Sequence, residues 1–78
     1  MARLTREETK LLGEIGKAGF AKLASTELRI GTRSFVSSKG TNYVHVLQRL
    51  QDRHYVAIDD EGHYRLTESG IRRWKASS

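Results

Sequence analysis

Apolar residues recur at helical spacing near the start of the chain. One face of this segment is formed by Leu11, Leu12, Ile15 and Ala18. The preceding residues 5–8, Thr-Arg-Glu-Glu, match a capping box, in which a threonine hydroxyl and a glutamate three residues later satisfy each other's backbone N–H groups. Gly16 and Gly19 disfavour helix, so we expect this first helix to end within residues 16–19. Gly13, which lies inside it, indicates close packing against a neighbouring element.

The next part of the chain carries weaker patterns. Phe20, Leu23 and Ala24 are compatible with a helical turn. Leu28 and Ile30 alternate with charged residues, which predicts a short strand over residues 27–30. We expect a short helix over residues 32–38, since Thr at its first position is a suitable N-cap and the glycine at position 40 would end it.

A longer helix is predicted over residues 43–53, with Thr41 or Asn42 as its N-cap. Its apolar face comprises Tyr43, Val46, Leu47 and Leu50, with His54 as a further candidate. The opposite face carries Asn42, His45, Gln48, Arg49 and Asp52.

The hydrophobic period then changes from that of a helix to that of a strand. Val56 and Ile58 are separated from Tyr64 and Leu66 by a turn rich in acidic residues and glycine, which predicts a β-hairpin. Thr and Glu at positions 67 and 68 begin a last helix that we place at about 67–76. The interpretation of Trp74, on this helix, stays open: it either anchors an interface or closes the core against the first helix.

Length and composition limit the class of protein. The 78 residues allow one domain, 1–78, without room for a large catalytic cleft. There is no cysteine, which fits a reducing compartment, and we expect a cytoplasmic protein, nucleoid-associated if the source is prokaryotic. No long apolar run predicts a membrane span or a signal peptide. We find neither a nucleophile–base pair nor a phosphate loop, so we expect no enzymatic activity and no cofactor.

Positive charge is concentrated in the first two thirds of the chain. The formal net charge is +5, and residues 16–53 carry seven basic side chains against two acidic ones. Such an excess favours polyanions. His45, His54 and His63 lack the spacing of metal ligands, and we expect no bound metal.

The order of short helix, glycine turn, longer helix and hairpin resembles a winged helix-turn-helix domain. Val36, Gly40 and Val46 stand at the spacing of a helix-turn-helix motif, and residues 47–56 (LQRLQDRHYV) and 64–70 (YRLTESG) resemble small transcriptional regulators of the MarR and PadR kind. The resemblance implies an α+β fold with three to four helices and a C-terminal hairpin wing. It places the helix-turn-helix at about 32–54, the wing at about 55–66 and the last helix at about 67–76.

The function that this resemblance implies is sequence-specific binding of double-stranded DNA in transcriptional regulation, with helix 43–53 in the major groove. One 78-residue domain offers few contacts, so we also expect a homodimer. Amide and guanidinium groups on the exposed face suit adenine and guanine, and the hydroxyl and basic groups before the helix suit phosphates. The candidate DNA-binding residues are Arg33, Ser37, Ser38, Lys39, Thr41, Asn42, His45, Gln48 and Arg49.

Two features depart from those families. They usually have glycine after the recognition helix, where this chain has His54, and the wing tip, residues 59–61, is Asp-Asp-Glu instead of basic. The long flanking helices by which full members dimerise are not predicted either. An alternative function is therefore a protein-interaction module that uses the acidic wing or the Trp74 helix. A second fold interpretation takes residues 16–19, Gly-Lys-Ala-Gly, as the G-x-x-G loop of a KH domain.

Overall fold

The computed structural model describes residues 3–24, 27–35 and 42–77. In chain order these form α1 (Arg6–Ala18), β1 (Ala21–Ala24), β2 (Glu27–Ile30), β3 (Arg33–Ser34), α2 (Tyr43–Asp52), β4 (Val56–Ile58), β5 (His63–Leu66) and α3 (Glu68–Ser77). The five strands make one antiparallel sheet in the order β3-β2-β1-β5-β4. The protein is thus an α+β domain, as the sequence predicts.

The predicted capping box begins α1. Glu8 N donates to Thr5 Oγ1 at 3.1 Å, and Thr5 N donates to Glu8 Oε1 at 2.8 Å. The helix ends where Gly19 adopts a left-handed conformation, with φ of 95°, and donates its N–H to the Ile15 carbonyl. Residues 16–18 are therefore helical and a strand follows them, so the KH-loop interpretation of residues 16–19 is wrong.

The helices cover one face of the sheet. Leu11, Leu12 and Ile15 of α1 are fully buried, as are Val46, Leu47 and Leu50 of α2. They pack against inward-facing strand residues, of which Ala21, Leu28, Ile30 and Val56 are the buried ones. Alternate strand positions, such as Lys22 and Arg29, point to the other face, which we call the open face of the sheet.

The stretch between α1 and α2 differs from the prediction. The short helix predicted from Thr32 is wrong at Arg33 and Ser34, which pair with β2 as the edge strand β3. A left-handed Gly31, with φ of 64°, turns the chain between the two strands, and Phe35 N donates to the Leu28 carbonyl. The remainder of that predicted helix, residues 36–38, and the Gly40 turn lie outside the described residues.

Residues 21–24 form a strand, so the helical-turn interpretation of Phe20, Leu23 and Ala24 is also wrong. Among the described residues, β3 thus lies at the start of segment 32–38, which is predicted as the first helix of the helix-turn-helix. The predicted strand at residues 27–30 is confirmed, as are α2, the hairpin and α3. Thr67 caps α3 by accepting from Gly70 N at 3.1 Å.

Trp74 of α3 lies across α1. A Cβ atom built on Gly13 would be 3.5 Å from Trp74 Nε1, and one built on Gly16 would be 2.7 Å from the indole carbons. The two glycines make room for the indole, so the structure favours the interpretation in which Trp74 closes the core. Its neighbour Ile71 is 40% exposed.

Candidate nucleic-acid interface

The outer face of α2 is open to solvent. His45, Gln48 and Arg49 are exposed, and the opposite face of the same helix is anchored in the core. Tyr43 is half-buried and packs edge-to-face on Phe35, with ring centroids 4.7 Å apart, which assigns it to the core margin. His54 is exposed and does not extend the buried face. The predicted division of α2 into an apolar and a polar face is confirmed for the remaining residues.

Asn42 is the N-cap of α2. Its Oδ1 atom accepts from Val44 N at 3.1 Å and from His45 N at 3.4 Å. A bidentate contact with adenine needs both the oxygen and the nitrogen of the amide. Because the oxygen already satisfies the free N–H groups of the helix, the geometry supports a capping role for Asn42 better than the expected base contact.

The other predicted contact residues are separated in the structure. Ser37, Ser38, Lys39 and Thr41 lie outside the described residues. Arg33 is exposed on the edge strand β3, where it lines an open cleft together with Lys17 of α1. The residues that the structure brings together on one helical face are thus His45, Gln48 and Arg49.

Charges around α2 are unevenly matched. Its first turn contains no acidic residue, and within the described part of the chain Arg49 forms no ion pair. Asp52 is exposed near the end of the helix. Arg53 is turned inward, with its Nε 3.4 Å from Oε2 of Glu8, which is 1% exposed. Arg49 is therefore the α2 cation that a polyanion can reach without competing for an internal carboxylate.

The turn of the β4–β5 hairpin uses its first acid internally. Asp59 accepts from the backbone N–H groups of Glu61 and His63 and from Arg65 Nε, at 2.9, 2.9 and 2.8 Å. The Arg65 hydrogen bond, with the His63 N–H next, lowers the pKa of Asp59 from 3.8 to about 2. Asp60 and Glu61 remain exposed at the tip. The hairpin tip thus keeps a negative field, weaker than the sequence alone suggests.

Basic residues of α1 were missed as candidates when the sequence was considered alone. Arg6, Lys10 and Lys17 are exposed on the side of α1 that faces away from the core. The signal was their spacing of four and seven residues, which puts them on one helical face. The sequence alone does not show that this face of α1 lies near α2.

A second open cleft lies between α1, β5 and α3. It has a volume of about 420 Å³ and an apolar floor that includes Ile15, Leu66 and Trp74, with Arg65 and Lys75 at its rim. Neither this cleft nor any other part of the described chain brings together three or more His, Cys, Asp or Glu side chains that could hold a metal ion. No helix within the described ranges is both long enough and apolar enough to cross a membrane.

Searches against protein-family models, curated proteins and solved structures found nothing that matches this chain.

Proposed function

We propose that this domain binds double-stranded DNA through the exposed face of α2. The observation that carries the proposal is that α2, whose other face is anchored in the core, exposes His45, Gln48 and Arg49 on one face. Arg49 forms no ion pair with a described carboxylate, so its guanidinium group is available to DNA. A helix of ten residues, about 15 Å long, fits the major groove, which is about 12 Å wide.

The roles of the three side chains follow from their chemistry. Arg49 can donate two parallel hydrogen bonds to the O6 and N7 atoms of guanine. Gln48, which makes no capping bond, can pair with adenine through its amide. His45 lies one turn nearer the start of the helix and can reach a phosphate or a base edge. The rigid attachment of α2 through Val46, Leu47 and Leu50 holds this face in place.

Fluorescence anisotropy with mixed-sequence duplex DNA, between about 50 and 200 mM salt, tests the proposal first. We expect binding that weakens steeply as salt rises. Selection from a randomised duplex pool then yields a preferred site. Two copies of the domain are expected on that site, because one helix reads few base pairs; sedimentation of the complex measures the stoichiometry.

Arg49→Ala, measured on the selected DNA site, tests whether α2 contacts the bases. We expect a loss of about 1–3 kcal/mol in binding free energy and relaxed preference at one base pair. Lys22→Ala is the matched control, since Lys22 is an exposed cation without an ion pair among the described residues and lies on the open face of the sheet. Equal losses for both variants would overturn the assignment to α2. No binding at the lowest salt would overturn DNA binding, and the exposed acids of the hairpin tip would then be tested against basic protein partners.

A further inference from the structure

Some of the described cations have a carboxylate of the same chain beside them, and others have none. In the first group each arginine has a carboxylate of the same chain beside it: Arg29 with Glu27, Arg53 with Glu8, Arg65 with Asp59 and Arg72 with Glu68. The pairs other than Arg53–Glu8 lie at the surface and add little stability, but in all four the carboxylate offsets the field of its arginine. The surfaces around these pairs therefore attract a polyanion weakly.

Cations of the second group form no ion pair with any described residue; Lys22 and Arg49 belong to it, and four others cluster at one place. Arg6, Lys10 and Lys17 follow the outer side of α1, and Arg33 of β3 joins Lys17 across an open cleft of about 400 Å³. We call these four residues the α1–β3 stripe. The acids nearest to it on α1 are Glu7, which is half-buried, and Glu14, which is half-buried and lines the same cleft.

Aromatic contacts connect the stripe to α2. Lys10 Nζ lies 5.9 Å from the ring centroid of Phe35, and Phe35 packs on Tyr43, the first residue of α2. The stripe therefore passes beside the N-terminal end of α2, the helix that we propose to bind DNA. From Arg6 to Lys17 it extends over eleven residues of helix, about 16 Å, which is enough for several successive phosphates at about 3.4 Å of axial rise each.

The hairpin has the opposite character. Its tip exposes Asp60 and Glu61, and the Arg65 behind them is bound to Asp59. Phosphates placed along the hairpin would meet two exposed carboxylates, of which Glu61 has only His63 Nδ1 beside it, at 3.7 Å, and Asp60 has no ion pair with a described residue. Phosphates placed along the α1–β3 stripe would meet four cations that form no ion pair with a described residue. The charge distribution thus favours a path for the phosphates beside the α1–β3 stripe over a path beside the hairpin tip.

We infer that a duplex bound by α2 lays its phosphate backbone along the α1–β3 stripe and away from the hairpin tip. This inference rests on the proposed function and adds to it the direction in which the duplex crosses the protein. Contacts to phosphates set position and affinity without reading sequence. Loss of a stripe cation should therefore weaken binding to all duplexes equally, in contrast to loss of Arg49.

The salt dependence of binding separates the stripe from the rest of the surface. Lys10→Gln and Lys17→Gln are each expected to make the slope of log K against log salt shallower by about 0.9, because one counterion fewer is released. Lys22→Gln removes the same charge from the open face of the sheet and is expected to leave the slope unchanged. Circular dichroism confirms that each variant is folded before titration.

Lysine acetylation of the wild-type protein, read by mass spectrometry with and without duplex, provides an independent measurement. We expect the duplex to protect Lys10 and Lys17 and to leave Lys22 as reactive as in the free protein. Protection of all three lysines alike, or slopes that change equally in all three variants, would overturn the stripe as the path of the backbone.

The two proposals fail in different ways. If wild-type protein binds no duplex at the lowest salt, the proposed function is wrong and the inferred path falls with it. If wild-type protein binds, Arg49→Ala weakens binding, and the Lys10 and Lys17 variants behave like Lys22→Gln, only the path along α1 is wrong.

Discussion

Two glycines on α1 allow the packing of Trp74 to be tested by a matched pair of substitutions. Gly13 and Gly16 lie in the same helix and face the same indole ring. Replacing glycine by alanine inside a helix stabilises it by about 0.5–1 kcal/mol when the new methyl group has room. A Cβ at Gly13 would make an ordinary contact at 3.5 Å with Trp74 Nε1. We therefore expect Gly13→Ala to raise the free energy of unfolding by up to about 1 kcal/mol.

Gly16→Ala should have the opposite effect. Its Cβ would be 2.7 Å from Cδ2 and Cε3 of Trp74 and 2.8 Å from Cζ3, which are atoms of the rigid ring fusion and its benzene edge. Forcing an extra carbon into such a contact costs about 1–3 kcal/mol. After the gain in helix propensity is subtracted, we expect a net loss of up to about 2 kcal/mol. The two variants should then differ by about 1–3 kcal/mol in stability.

Urea and thermal unfolding, followed by circular dichroism, measure the difference. For a domain of this size, 1 kcal/mol corresponds to a shift of roughly 4–8 °C in Tm. Trp74 is the only tryptophan, so its fluorescence also reports whether the indole environment changes in Gly16→Ala.

A double-mutant cycle identifies the cause. In a Trp74→Leu background the clash is removed, and Gly16→Ala should become neutral or stabilising. If Gly16→Ala stabilises the wild-type protein as much as Gly13→Ala does, the indole does not lie over Gly16, and the closure of the core by α3 is refuted.

Three further predictions concern residues that hold the hairpin and α2. The pKa of Asp59 is lowered to about 2, so its contribution to stability is full above its unfolded value near 3.8 and is lost as pH falls toward 2. Asp59→Asn should flatten that acid dependence of Tm, whereas Asp60→Asn should keep it; equal profiles would contradict the assignment. His54 has a φ of 65°, so His54→Gly should stabilise by about 0.5–1 kcal/mol in urea unfolding and His54→Ala should not. Arg53→Met removes the ion-pair partner of the buried Glu8 Oε2 atom, which accepts no hydrogen bond from a described residue, and should cost about 1–3 kcal/mol. Most of this loss should be restored by Glu8→Gln in the same chain, because the buried charge is then removed. A double variant less stable than Arg53→Met would contradict the last prediction.

His54, which follows α2, is the one non-glycine residue with a positive φ in the described part of the chain. Glycine, the residue that the winged-helix resemblance predicts here, adopts such a conformation without strain. The conformation is fixed by its neighbours: His54 N donates to the Gln51 carbonyl at 3.0 Å, and Thr67 Oγ1 donates to the His54 carbonyl at 2.5 Å. These contacts hold a non-glycine residue in the left-handed region of backbone conformation, which costs about 1–2 kcal/mol.

Helices and strands that are marked by capping or turn residues at their own ends could be predicted from the sequence. α1, α2 and α3 each begin at a side chain that caps the helix, namely Thr5, Asn42 and Thr67. The hairpin is marked by period-two alternation and a glycine turn. In each case the chemistry that decides the structure lies within a few residues of the element itself.

The strands between α1 and α2 were harder to predict because their partners are distant. Residues 21–24, Ala-Lys-Leu-Ala, have good helix propensity, yet Ala21 pairs with Tyr64 of β5, more than forty residues later in the chain. Sheet pairing overrides local propensity when a strand joins two others. β3 is only two residues long and rests on its pairing with β2, which no pattern within residues 32–38 reveals.

The same distinction applies to the candidate interface. Charge counted along the sequence gives residues 16–53 a basic excess, but this count includes Arg53, whose field is offset by Glu8 from outside that segment. It also omits Arg6 and Lys10, which precede that segment and have no ion pair with a described residue. Since the attraction of a polyanion depends on the summed field at the surface, the cations that matter are those left unmatched after folding. The expected phosphate contacts therefore extend to the outer side of α1, where Lys10 is a more informative substitution than any arginine already paired within the chain.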